Sequence, residues 1–150
     1  MSLRVLAFML VGIVAGSLMT LQGVLNAGLG KRTGDLGSVL LLLLLGLPVV
    51  LPLILVFPGT AHLDQLPRLS EWYLYLGAVL GIGIVAVPIV LVPRIGATLT
   101  FTALIVGQLT LAVALDKVGF LGVPKAEITP SRLLGVALLI AGTLLITTRR

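Results

Sequence analysis

Three amide side chains stand in stretches otherwise free of strongly polar groups: Gln22 and Asn26 in one apolar run and Gln108 in another. An amide carries two N–H donors and a carbonyl acceptor. On membrane helices such groups either hold helices together, at about 1 kcal/mol or less per hydrogen bond, or line a polar cavity that coordinates a substrate. Gln22 and Asn26 are four residues apart, so a helix projects both from one face. Asp116 follows Gln108 by eight residues and falls near the same helical face. Two roles suit it. It caps a helix end in the headgroup zone, or, in an antiparallel dimer, it faces Arg94 of the other chain and forms an intersubunit ion pair. Covalent chemistry has little to work with. One histidine, His62, no cysteine and five carboxylates cannot assemble a thiolate site, a zinc site or a Ser-His-Asp triad. Neither enzyme activity nor a metal or cofactor is expected.

The elements that must position these groups follow from composition. Of 150 residues 59% are hydrophobic and 10% charged, against about a quarter charged in ordinary soluble domains. Such a chain cannot cover a water-exposed surface. The ten Lys and Arg residues are scattered in ones and twos between apolar runs, which excludes a basic nucleic-acid face and suits charges that mark the edges of membrane spans. With about 20 apolar residues needed per crossing, the runs predict five helices in one transmembrane domain covering residues 1–150. Their expected ranges are 5–29, 36–57, 72–92, 97–115 and 133–148. The fifth offers only 16 residues, so four spans plus an interfacial segment is the alternative. Pro48 and Pro52 are expected to bend the second helix and Pro88 the third. Trp72, Tyr73 and Tyr75 suit the headgroup level at the mouth of the third. The short link between the third and fourth predicts an antiparallel hairpin.

Five spans put the termini on opposite faces and divide the basic residues evenly. Arg4, Arg68, Lys117, Lys125 and Arg132 fall on the N-terminal side, and Lys31, Arg32, Arg94, Arg149 and Arg150 on the other. Orientation is normally set by an excess of Lys and Arg on the cytoplasmic side. An even split predicts dual topology, in which one chain inserts both ways and pairs as an antiparallel homodimer, or else it leaves orientation to the first helix. Small residues let helices approach closely in lipid. Gly12 with Gly16, Gly77 with Gly81, and Gly135 with Gly142 are the expected packing glycines.

The run Trp72 to Gly96, WYLYLGAVLGIGIVAVPIVLVPRIG, followed by ATLTFTALIVGQ and LDKVGFLG, resembles the YdcZ-type (DUF606) family of bacterial inner-membrane proteins. LQGVLNAGLG in the first run is similar to that family's opening helix, and RLLGVALLIAGTLLI to its last. The resemblance covers nearly the whole chain, and the Pro93-Arg94-Ile95-Gly96, Gly107-Gln108 and Asp116 cluster is its most specific part. It implies the drug/metabolite transporter superfamily: an all-α, five-helix unit found in the inner membrane as antiparallel pairs or fused into ten helices. Related small multidrug exporters carry a membrane-embedded glutamate in the first helix, whereas this chain has no carboxylate there. Ala112 stands where relatives often have serine.

The reading that joins these observations is a small secondary transporter. Its partners are the lipid bilayer, a second copy of the chain and a small-molecule solute. Gln22, Asn26 and Gln108 line the substrate site, and the prolines offer hinges for alternating access. With no titratable group at mid-membrane, the solute is a polar or zwitterionic metabolite or drug-like molecule rather than one driven by strong proton coupling. The alternatives are a non-transporting membrane subunit and a passive pore.

Overall fold

The computed structural model describes residues 3–147, and among these the chain is helical apart from its connections, without a strand. The five α-helices are α1 (Leu3–Thr33), α2 (Asp35–Val56), α3 (Leu76–Ile95), α4 (Ala97–Val118) and α5 (Pro130–Thr147). Four stretches are long and apolar enough to cross a membrane: α1, α2, the segment Leu69–Ile95 that contains α3, and α4; α5 is a shorter apolar helix. Thr148, Arg149 and Arg150, which entered the expected fifth span and the charge tally, lie outside the described residues. The chain forms two compact units that divide between Arg94 and Ile95. The first holds α1, α2 and α3, with α1 packed on α2; the second holds α4 packed on α5.

Each helix ends where a local signal ends it. Lys31 and Arg32 occupy the last turn of α1, where positive charge suits the exposed carbonyls. Gly34 alone then connects α1 to α2. Its φ of 79° and ψ of 159° lie in a region open essentially to glycine alone, so the chain turns its corner in one residue. Gly96 does the same between α3 and α4, with φ 82° and ψ 161°. Helix α4 runs three residues beyond the expected end at 115. Asp116 and Lys117 are accommodated in its last turn, and the terminator is Gly119, which is left-handed at φ 67° and whose N–H bonds the Leu115 carbonyl at 2.9 Å.

Two starts also differ from expectation. Trp72, Tyr73 and Tyr75 belong to a 3₁₀ segment, Leu69–Tyr75, and the α-helix begins at Leu76. The segment is held by polar contacts suited to the headgroup zone. The Tyr75 hydroxyl donates to the Pro67 carbonyl at 2.8 Å, and the Arg68 N–H donates to Glu71 Oε2 at 3.1 Å. Helix α5 begins three residues before the expected 133, because Thr129 and Pro130 form a start signal. Pro130 takes the first helical position, where a missing N–H costs nothing. The Arg132 N–H reaches Thr129 Oγ1 at 3.3 Å.

The prolines inside α2 and α3 remove ladder donors rather than ending the helices. Pro48 and Pro52 lie within α2, and Pro88 and Pro93 within α3. Each leaves the carbonyl four residues earlier without its backbone partner.

Burial is concentrated in the first unit. Gly23, Ala27 and Gly30 of α1, Ser38 and Val39 of α2, and Pro88 and Ile89 of α3 are buried. Gly30 is the tightest point. A Cβ there would lie 2.8 Å from Ile89 Cγ2 and 3.8 Å from Ser38 Cβ. The six glycines expected to pack helices behave differently. At Gly12, Gly16, Gly77, Gly81, Gly135 and Gly142 an added Cβ would meet nothing within 4 Å, so any close packing at these positions involves surfaces beyond the chain's own.

Candidate functional site

Gln22 and Asn26 are carried by α1 beside the buried stripe Gly23, Ala27 and Gly30, so they border the α1–α2 seam. Gln22 is exposed and Asn26 half-buried. The Asn26 backbone is fixed from across the seam, because Ser38 Oγ, fully buried, donates to its carbonyl at 2.9 Å. Neither amide side chain hydrogen-bonds within the chain among the described residues. The same holds for Gln108, exposed on α4. All three expected ligands therefore keep their hydrogen-bonding capacity free. They lie in different units, Gln22 and Asn26 in the first and Gln108 in the second.

The hydroxyls of the spans are mostly self-satisfied. Thr20, Thr100, Thr102, Thr110 and Thr143 each donate to the carbonyl four residues earlier in the chain, as threonine on a helix commonly does. Ser38 is the exception that ties one helix to another.

The second unit holds a cleft of about 260 Å³ between α4 and α5. From α4 it is lined by Leu109, Ala112, Val113 and Asp116, and from α5 by Arg132, Gly135 and Val136. These are helical faces with spacings of three and four residues. Asp116 and Arg132 meet at one end, with Nη1 donating to Oδ2 at 3.3 Å and both side chains partly exposed. The backbone closes the same corner, where the Ala126 N–H donates to the Asp116 carbonyl at 2.9 Å.

Arg132 entered the sequence reading only as a boundary charge. Sixteen residues separate it from Asp116, and no periodicity links them. Its position in the first turn of α5 was legible once Thr129-Pro130 was read as a helix start. The Arg94 guanidinium donates to the Val90 carbonyl on its own helix. The expected Arg94–Asp116 pairing concerns a second chain; within this one, Asp116 is engaged by Arg132.

Comparison with protein families gives one match. The model of the family described as "Putative inner membrane exporter, YdcZ" covers residues 7–145, a span that begins within α1 and ends within α5. Comparisons with curated proteins and with solved structures give no match. The apolar helices, the absence of strands among the described residues and this near-complete coverage agree: the chain belongs to the YdcZ family of inner-membrane exporters and is a multi-pass protein of the inner membrane.

Proposed function

We propose that the chain is a small secondary transporter that moves a small polar or zwitterionic solute by alternating access, as an antiparallel homodimer, with Gln22, Asn26 and Gln108 as its polar contacts. The observation that carries this is the unspent hydrogen-bonding capacity of three amides on apolar helices. A polar group without a partner in hydrocarbon is costly. These side chains therefore need a second chain, water or a solute, and a wet cavity between two copies supplies all three.

Five crossings fit this reading. With 18 residues, α5 is about 27 Å long, close to the ~30 Å hydrocarbon thickness, and snorkelling basic residues can make up the remainder. The even division of ten basic residues favours dual insertion, and an antiparallel pair of five-helix chains reproduces the inverted repeats of many transporters. Gly12, Gly16, Gly77, Gly81 and Gly142, where an added Cβ meets nothing, are available for contacts between copies, whereas the open side of Gly135 lines the α4–α5 cleft. An Arg94–Asp116 pair between subunits would use Asp116 Oδ1, since Arg132 engages Oδ2.

Flux measured in proteoliposomes containing only this chain tests the reading. Saturable uptake is expected, and Gln108→Leu is expected to abolish it while leaving the elution profile of the purified protein unchanged. Full flux in Gln108→Leu removes that residue from the site. Absence of flux across a broad panel of solutes favours a non-transporting subunit, and flux linear in solute concentration a pore. Reporter fusions at the C-terminus test dual insertion; signal on one side only overturns it.

A further inference from the structure

The α4–α5 cleft is lined by none of the three amides, although Gln108 lies one turn from Ala112, and its composition is selective. Its walls are apolar, formed by Leu109 and Val113 on one helix and Val136 on the other, and one end holds a carboxylate beside a guanidinium. That pair is loosely made. One hydrogen bond of 3.3 Å joins it, where charge-assisted N–H···O bonds run about 2.7–2.9 Å. Among the described residues, Asp116 Oδ1 and the Nε and Nη2 groups of Arg132 have no partner. With Asp116 and Arg132 side chains 33% and 39% exposed, the unused donors and acceptor are reachable.

We propose that this cleft binds a zwitterion with an apolar body, its ammonium against Asp116, its anionic group against Arg132 and its apolar part between α4 and α5. The sign of the charges selects this class. A simple cation or anion brought to the pair meets one attraction and one repulsion, whereas a zwitterion aligned head to tail meets two attractions. Position selects it too. Asp116 sits in the last turn of α4 and Arg132 in the first turn of α5, so the charged end lies at the membrane edge and the apolar walls run inward. Size is set by Ala112 and Gly135, whose small side chains leave the space open; at about 260 Å³ it falls just under the ~300–1,000 Å³ of drug-sized pockets. A free α-amino acid with a branched apolar side chain and the headgroup of an aminophospholipid both carry this chemistry.

The test uses the whole protein in a non-ionic maltoside detergent and has two arms. In the first, leucine is titrated calorimetrically beside 3-methylbutylamine and 4-methylpentanoate, which each keep one of its two charges. In the second, native mass spectrometry counts retained phosphatidylethanolamine against phosphatidylglycerol with the same acyl chains. Saturable leucine binding at least tenfold tighter than either single-charge probe assigns a free solute. Preferential retention of phosphatidylethanolamine assigns a lipid. In either case Gly135→Leu, which fills the cleft, and Asp116→Asn, which removes its anion, are expected to weaken binding at least tenfold in protein that elutes as the wild type does. Where Gly135→Leu does not purify, Ala112→Val narrows the cleft from α4 and gives the same reading. Absence of both leucine binding and lipid preference overturns the proposal. So does equal binding of a single-charge probe, or binding undiminished by the cleft variants. Binding is read without flux, so its failure leaves the transport reading standing, and failure of transport leaves the cleft assignment intact.

Discussion

The end of the α1–α2 seam and the end of the α4–α5 pair use small residues to opposite effect. At the first, Gly30 lets α1 settle against Ile89 so closely that no Cβ fits, and Ser38 is fully buried with its hydroxyl committed to Asn26. At the second, Ala112 and Gly135 face a space, and the polar groups beside them are partly exposed and only singly bonded. A small side chain on a membrane helix can thus close an interface or keep a cavity open. Which it does depends on what stands opposite, and the helix that carries it holds no record of that.

The contrast is most sharply broken at Gly30. Ile89 is β-branched and 1% exposed, so the Cγ2 methyl in the way has little freedom to rotate aside. Gly30→Ala is expected to cost about 1–3 kcal/mol by overpacking and to lower the thermal midpoint in detergent clearly; Gly30→Val should yield no folded protein. Gly135→Ala, with nothing in the way of its Cβ, is expected to leave the midpoint unchanged or raise it slightly. Equal losses at both positions would erase the distinction between seam and cleft. A smaller effect is expected at Ser38. Removing its buried hydroxyl in Ser38→Ala forfeits a hydrogen bond between helices, worth about 1 kcal/mol, whereas Thr110→Val, which loses a bond to its own helix, should cost less. The smallest is expected at the ion pair. Asp116→Asn should change stability by about 0–1 kcal/mol, the range of solvent-accessible pairs; a loss as large as that of Gly30→Ala would make the pair a structural clamp.

Much of the architecture was legible because membrane physics writes it in long strokes. The uncharged run from Val5 to Gly30 can only be a helix, and the same holds for the runs that became α2, α3 and α4. Ends were less legible. Treating charges as boundary marks cut α4 short of Asp116 and Lys117, whose side chains extend from a final helical turn, and delayed α5 past its Thr129-Pro130 start. The aromatic cluster was read as the mouth of a helix and is 3₁₀, because the interface preference of Trp72 and Tyr75 says nothing about whether the backbone there is α or 3₁₀.

What sequence offered towards a site was polarity out of place. Gln22, Asn26 and Gln108 stand out by being polar among apolar residues, and among the described residues their side chains have no hydrogen-bond partner. What sequence could not supply was adjacency between distant residues. Nothing in spacing pairs Asp116 with Arg132 or sets Gly30 under Ile89. The small-residue pattern at Gly12 and Gly16 shows a face that permits contact without naming what makes it.

The corners at Gly34 and Gly96 have a consequence for how the protein meets the aqueous phase. Gly34 and Gly96 are single-residue links, whereas α2 and α3 are joined by residues 57–75 and α4 and α5 by residues 119–129. Each of these corners therefore offers no loop for a protease to thread or an epitope tag to extend. The accessible backbone lies in the two long connections, so limited proteolysis of oriented vesicles would read which side of the membrane each connection faces.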